Sequence, residues 1–266
     1  MEPTPRGYRM DGCRATQRRP GDGRCSRVRS RFIGFILRLI AFAQFVGDPG
    51  NLWPLVLLFS VLYSTPVVLA GMTLPCDVYP DSLSRLPLVQ RESMDEQGQK
   101  FYDAVTSPHS RTLVGLQGPS GIWLHSPELG ERMRTVNQYL RYETALERCL
   151  TELAILVTAR ELDNQFEWTA HEPVALKEGL DAAIVEVVKH RKPISGLPTK
   201  EALIISLGRK LFRERKVDSE TFAHAVEVFG PRGIVELAAL MGNYAGTAIV
   251  LNMVDQQLRS DQTPLL

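Results

Sequence analysis

From residue 93 onward, apolar side chains recur at intervals of three and four, and sustained period-two alternation is absent. That spacing predicts amphipathic helices. They fall over about 94–106, 127–142, 144–162, 164–178, 181–190, 199–214, 219–229 and 232–257. Ser93-Met94-Asp95-Glu96 reads as a capping box for the first, and Ser126-Pro127 as an N-cap and first-turn proline for the second. Gly179 closes the helix of 164–178, and Thr199 caps the one that starts there. Between the first two helices, 107–126 is a glycine-rich loop. The expected fold class is all-α, with six to eight helices and one hydrophobic core.

Ahead of this pattern, 72–92 is proline-rich and reads as an extended lead-in that wraps the domain. The expected organisation is therefore 1–71 as an appendage, 72–92 as lead-in, 93–258 as the helical domain and 259–266 as a loose tail. Charge supports that division. Residues 1–71 contain ten Arg, no Lys and four acids, which leaves 21 basic against 26 acidic residues in the remainder. The remainder has no basic stripe, which argues against nucleic acid as a partner.

Residues 1–31 are rich in Arg, Gly and Pro and read as disordered. Two apolar runs follow, 32–46 and 52–70, and no charge occurs between Asp48 and Asp77. The second run is long enough to span a bilayer and ends in Val68-Leu69-Ala70, small residues that suit a signal-peptidase site. Export (periplasmic or secreted) with cleavage near Ala70 is the first reading. A retained membrane anchor through 32–70 is the second. A buried helix, or a start placed too far upstream, which would leave the protein cytoplasmic, is the third.

The chemistry concentrates in Asn164-Gln-Phe-Glu-Trp-Thr-Ala-His-Glu-Pro173. Asn164, Glu167, Trp168 and His171 follow i, i+3, i+4, i+7 and share one helix face. If that face points inward, Glu167 and His171 must pair, and a buried carboxyl beside an imidazole can exchange protons near neutral pH. If it points outward, the pair contributes only about a few tenths of a kcal/mol. Of the four cysteines, Cys13, Cys25, Cys76 and Cys149, none forms a CxxC pair or a zinc-ligand cluster. Cys149 reads as a small packing residue. His125, on the glycine-rich loop, and Arg160, near the end of a helix, are further candidates for the substrate pocket; a surface histidine and a helix-surface ion pair are the alternatives.

Glu152-Leu-Ala-Ile-Leu, Phe166-Glu167-Trp168, His171 and Gly179-Leu180 together resemble the carboxymuconolactone decarboxylase family, within the alkyl hydroperoxidase D-like superfamily. The similarity extends over about 85–258. It includes the Ser-Arg-Leu-Pro lead-in, the Phe229-Gly230 turn and Gly242-Asn243-Tyr244. The peroxidase branch of that superfamily carries Glu…Cys-x-x-Cys-x-x-x-His. Its glutamate falls on Glu152 and its histidine on His171, but its cysteines fall on Asn164 and Glu167. Neither is a thiol, so the resemblance favours the branch without the CxxC pair and argues against thiol-based peroxide reduction.

What the resemblance implies is a carbon–carbon lyase that needs no cofactor or metal and acts on a small carboxylated lactone or a related compound. His171 would donate or shuttle the proton, Glu167 would orient it or exchange protons with it, and Glu152 would supply a second carboxylate. Trp168 and Asn164 would line the substrate site. The resemblance also implies a homo-oligomer, trimer or hexamer, built through apolar helix faces. A peroxiredoxin-type protein, or a helical oligomer that kept the fold without the chemistry, are the alternatives.

Overall fold

A computed structural model of the protein describes residues 74–265. The expectations for 1–71 lie outside the described residues. Eight α-helices occur among the described residues: α1 (Glu96–Thr106), α2 (Pro119–Trp123), α3 (Pro127–Tyr142), α4 (Arg148–Glu161), α5 (Gln165–Lys177), α6 (Ala182–Lys189), α7 (Thr199–Arg209) and α8 (Ser219–Met253). The all-α expectation holds. The only strand-like pairing among these residues is an isolated bridge between Tyr79 and Ser84.

The centre of the domain is α4. Every residue from Leu150 to Arg160 is buried, because α5, α6, α7 and α8 surround it. A helix enclosed on all sides must be apolar nearly all round, and Leu153, Ala154, Ile155, Leu156 and Val157 meet that demand. The polar residues in the same run, Thr151, Glu152, Thr158 and Arg160, each need an internal partner. Thr151 and Thr158 find theirs in the carbonyls of Glu147 and Ala154 one turn back.

Several termini differ from the sequence expectation. Asp95, not Ser93, caps α1, with its carboxylate accepting from the Gly98 amide at 2.8 Å. Ser93 instead closes a short 3-10 turn, Arg91–Ser93, and donates to the Gln90 carbonyl. The loop 107–126 contains α2, a single turn that begins at Pro119. Pro198 holds the cap position of α7, one residue ahead of Thr199, and α7 runs on into a π-helical turn, Lys210–Glu214. The two final helices are continuous in the chain but break at Gly230, whose φ of 69° takes it out of the helical region just before Pro231.

The lead-in is less extended than the proline content suggests. Residues 77–85 fold into turns, then clasp the end of α8: the Arg85 amide donates to the Val254 carbonyl at 2.7 Å and the Gln257 amide to the Leu83 carbonyl at 2.7 Å. The tail is not loose either. Leu265 is buried in the main core, and its amide donates to the Gln165 side chain at 2.6 Å.

Helix α8 is long and apolar enough to cross a membrane by length and composition. Its inner face, Leu237, Leu240, Met241, Tyr244 and Ala248, is buried in the domain. Its outer face exposes Val235, Ile249 and Met253.

Candidate active site

Glu152 has no solvent exposure. A lone carboxylate there would be prohibitively costly, so the surrounding helices supply partners. One oxygen accepts from an Arg141 guanidinium N–H at the end of α3 and from an Arg148 N–H one turn away on α4, each at 2.9 Å. The other oxygen lies 2.6 Å from Nδ1 of His171 on α5. Burial alone would push this carboxyl up. The hydrogen bond and charge of His171, with those of Arg141, outweigh burial and hold it at about 2. Glu152 is therefore ionised, and Nδ1 of His171 must carry the proton and donate it to the Glu152 carboxylate.

Asn164 begins α5. Its side-chain oxygen accepts from the Glu167 amide at 2.9 Å, and its amide nitrogen donates to the Asn252 side-chain oxygen on α8 at 2.9 Å. This fixes the first turn of α5 and hence the direction of Glu167 and His171. The Glu167 carboxyl stands 3.4 Å from Nε2 of His171. That is long for a hydrogen bond. Burial, the largest influence, raises the Glu167 carboxyl above the usual range, against the opposing charges of His171 and Arg141. The two glutamates are thus driven apart: Glu152 is held as an anion, and burial shifts the Glu167 carboxyl toward its protonated form. The Tyr244 ring meets His171 edge-on, with centroids 5.1 Å apart, and burial pushes its phenol well above the ordinary value.

Glu167 and His171 line a cavity of about 120 Å³, walled on its apolar side by residues that include Phe101, Val105, Trp123 and Phe166. A site of this size suits one small ring. Its shape depends on two glycines of the 107–126 loop. Gly118 has φ 154°, and a Cβ there would stand 2.6 Å from the Phe166 ring; at Gly121 a Cβ would stand 2.0 Å from the Leu116 carbonyl oxygen.

The three residues expected to carry the chemistry, His171, Glu167 and Glu152, come together. The four expected to bind substrate do not line this cavity. Trp168 is sealed in the core and donates from Nε1 to Glu172 at 3.0 Å. Asn164 is spent on the cap and the strut to α8. His125 places Nε2 3.0 Å from the Pro87 carbonyl and borders a separate small crevice under the lead-in. Arg160 donates to the Lys189 carbonyl at 2.6 Å and pairs with Asp163, which joins α4 to the end of α6.

The residues that do line the cavity include Arg111, Arg134, Asn137, Arg141 and Asn243, none of which the sequence reading picked out as a site residue. A signal was present: Gly130, Arg134, Asn137 and Arg141 follow i, i+4, i+7, i+11, a polar stripe on one face of α3.

Residues 127–205 match the model of the carboxymuconolactone decarboxylase family. Over that span the chain is similar to this family. The match runs from the start of α3 into α7 and contains Glu152, Glu167 and His171. It is shorter than the 85–258 expected from the sequence. No curated protein matches the chain.

Proposed function

We propose that this domain is a cofactor-independent lyase that decarboxylates a small carboxylated lactone, or a related compound, by acid/base chemistry. The observation that carries the reading is the position of one imidazole between two buried glutamates, 2.6 Å from Glu152 and 3.4 Å from Glu167. Glu152 holds Nδ1–H and turns Nε2 toward Glu167 and the cavity. Nε2 and the Glu167 carboxyl, 3.4 Å apart, are then near enough to share one proton in the course of the reaction, close to where a ring would sit. In the reaction, the bond from the substrate ring to its carboxylate breaks and CO2 leaves. The electron pair delocalises into the conjugated lactone. The shared proton is delivered to carbon from His171 or Glu167, and solvent restores it. Net, one proton replaces one CO2, and the lactone serves as its own electron sink. Apolar walls and water exclusion favour the neutral CO2-forming direction.

The peroxidase reading receives no support from the residues that line the cavity, and the resemblance sets Asn164 and Glu167 at the positions of the thiol pair. Screening the purified chain against carboxylated lactones and against peroxides, with and without a thiol reductant, tests this. CO2 release from a lactone is expected. Thiol-dependent peroxide consumption that requires Cys149 would overturn it.

Two further expectations join the proposal. Self-association through α3 and α8 is supported by an open groove lined by Val136, Tyr139, Val235 and Ala239, continued along α8 by the exposed Ile249 and Met253. Export or membrane attachment through 32–70 rests on the apolar runs there and on the small residues before Gly71.

A further inference from the structure

The Gly242-Asn243-Tyr244 step takes no part in the acid/base scheme, yet α8 sets Asn243, Tyr244 and Thr247 on the wall of the reaction cavity. Two of these three side chains are already spent inside the protein. The Asn243 amide nitrogen donates to the Asn137 side-chain oxygen at 3.2 Å, and the Thr247 hydroxyl donates to the Asn243 carbonyl at 3.0 Å. The Tyr244 hydroxyl differs: it has no hydrogen-bond partner among the described residues. The residue is only 4% exposed, and its ring is held edge-on against His171. A buried hydroxyl left unpaired is costly, and the cavity that Tyr244 borders can supply the partner. Burial favours the neutral phenol over phenolate, so the group offers a hydrogen bond without adding a charge. A fixed neutral donor of this kind suits an oxygen on which negative charge develops.

We propose that Tyr244 is a further catalytic residue, whose hydroxyl donates to the carbonyl oxygen of a lactone ring held in the cavity. The proposal rests on the acid/base reading of that cavity and adds what recognises the electron sink. When the bond to the carboxylate breaks and CO2 leaves, the electron pair delocalises onto this oxygen. The phenol keeps its proton throughout and holds the oxygen by a hydrogen bond. The proton that replaces CO2 on carbon still comes from His171 or Glu167. The edge-on contact sets the phenol beside the imidazole, so one small ring can meet both.

Binding tests this without any turnover. Titration calorimetry on the full chain would compare paraconate, a saturated lactone with one carboxylate, with cyclopentanecarboxylate, a ring of the same size without the lactone oxygens. Paraconate has no conjugated sink and is not consumed. It should bind roughly threefold to tenfold more tightly than cyclopentanecarboxylate. Y244F should lose that preference and leave cyclopentanecarboxylate affinity unchanged. T247V, which removes a hydroxyl already turned to the Asn243 carbonyl, should keep it. Because the phenol has no partner in the protein, Y244F should unfold at a denaturant concentration no lower than the parent. On a lactone that is turned over, Y244F should lower kcat by roughly 10²-fold or more, since the oxygen is most negative once CO2 has left. No preference for paraconate in the parent, a full preference or parent-like turnover in Y244F, or a Y244F protein markedly less stable than the parent would overturn the assignment. A preference that depends on Tyr244 in a chain that decarboxylates no lactone would leave the donor standing and remove the lyase reading alone.

Discussion

The Glu152 carboxylate lies 2.6 Å from Nδ1 of His171, with both side chains buried. This pairing crosses between two helices, and it sets the direction of the imidazole. With Glu152 ionised, Nδ1–H is fixed, and only Nε2 is left to face Glu167 and the cavity. Orientation by a buried carboxylate is what a proton-shuttling histidine needs.

Replacing Glu152 should therefore affect stability as well as rate. E152Q leaves the Arg141 guanidinium buried opposite a neutral amide. A loss of about 3–5 kcal/mol in chemical denaturation is expected. The parent protein should also be acid-sensitive through this group. Its folded pKa lies below the unfolded value, so its contribution is complete above the unfolded pKa and is lost as pH falls through about 2. In denaturation measured between pH 6 and 2, E152Q should show a shallower decline than the parent.

Glu167 has the opposite sign. Burial raises its folded pKa, so its neutral form is favoured in the native state and folding is penalised as pH rises above the ordinary carboxyl range toward the raised value. E167Q should be more stable than the parent at neutral pH, by a margin that grows with pH over that window. Its turnover should fall by roughly 10²- to 10⁴-fold if the carboxyl takes part in proton delivery. A parent rate profile with no decline on the alkaline side of the raised pKa would contradict that role.

Trp168 distinguishes a core residue from a cavity wall. W168F removes the hydrogen bond to Glu172 but keeps most of the volume. Turnover within about threefold of the parent is expected, with a stability loss of about 1 kcal/mol. W168A should cost about 3–5 kcal/mol. A W168F variant that folds normally but loses substrate affinity would return Trp168 to the site.

Gly121 tests the loop. The Cβ of G121A would meet a backbone carbonyl oxygen at 2.0 Å, which no side-chain rotation relieves. A destabilisation of about 1–3 kcal/mol is expected, with a weaker KM because α2 supplies Pro119, Ser120 and Trp123 to the cavity. Thermal unfolding and steady-state kinetics on the same preparation check both.

The helices and the pairing of Glu167 with His171 were legible in the sequence because both depend on local spacing; Glu152 entered through the family resemblance. His171 and Glu167 are four residues apart, and α4 is marked by its unbroken apolar run around Glu152. The cap of α1 was misplaced by two residues because Ser93 and Asp95 offer competing side-chain acceptors close together, and which one wins depends on where the chain turns. Apart from the polar stripe on α3, nothing in the sequence brought the other cavity-lining residues together. Arg111, Arg134, Arg141 and Asn243 lie on a loop and two helices and meet only in the folded domain. Trp168 and Asn164 share the helix with His171 but leave it at angles that carry them into the core and toward α8. Arg160 looked available for substrate because its partner, the Lys189 carbonyl at the end of α6, cannot be read from side-chain identities.

The most direct test of the central claim is the turnover of H171A on the carboxylated lactone that the parent protein accepts, with helicity and oligomeric state measured alongside. A fall of about 10²- to 10⁴-fold in kcat with fold and assembly unchanged is the expected result. A folded H171A protein that releases CO2 within about twofold of the parent rate would contradict it.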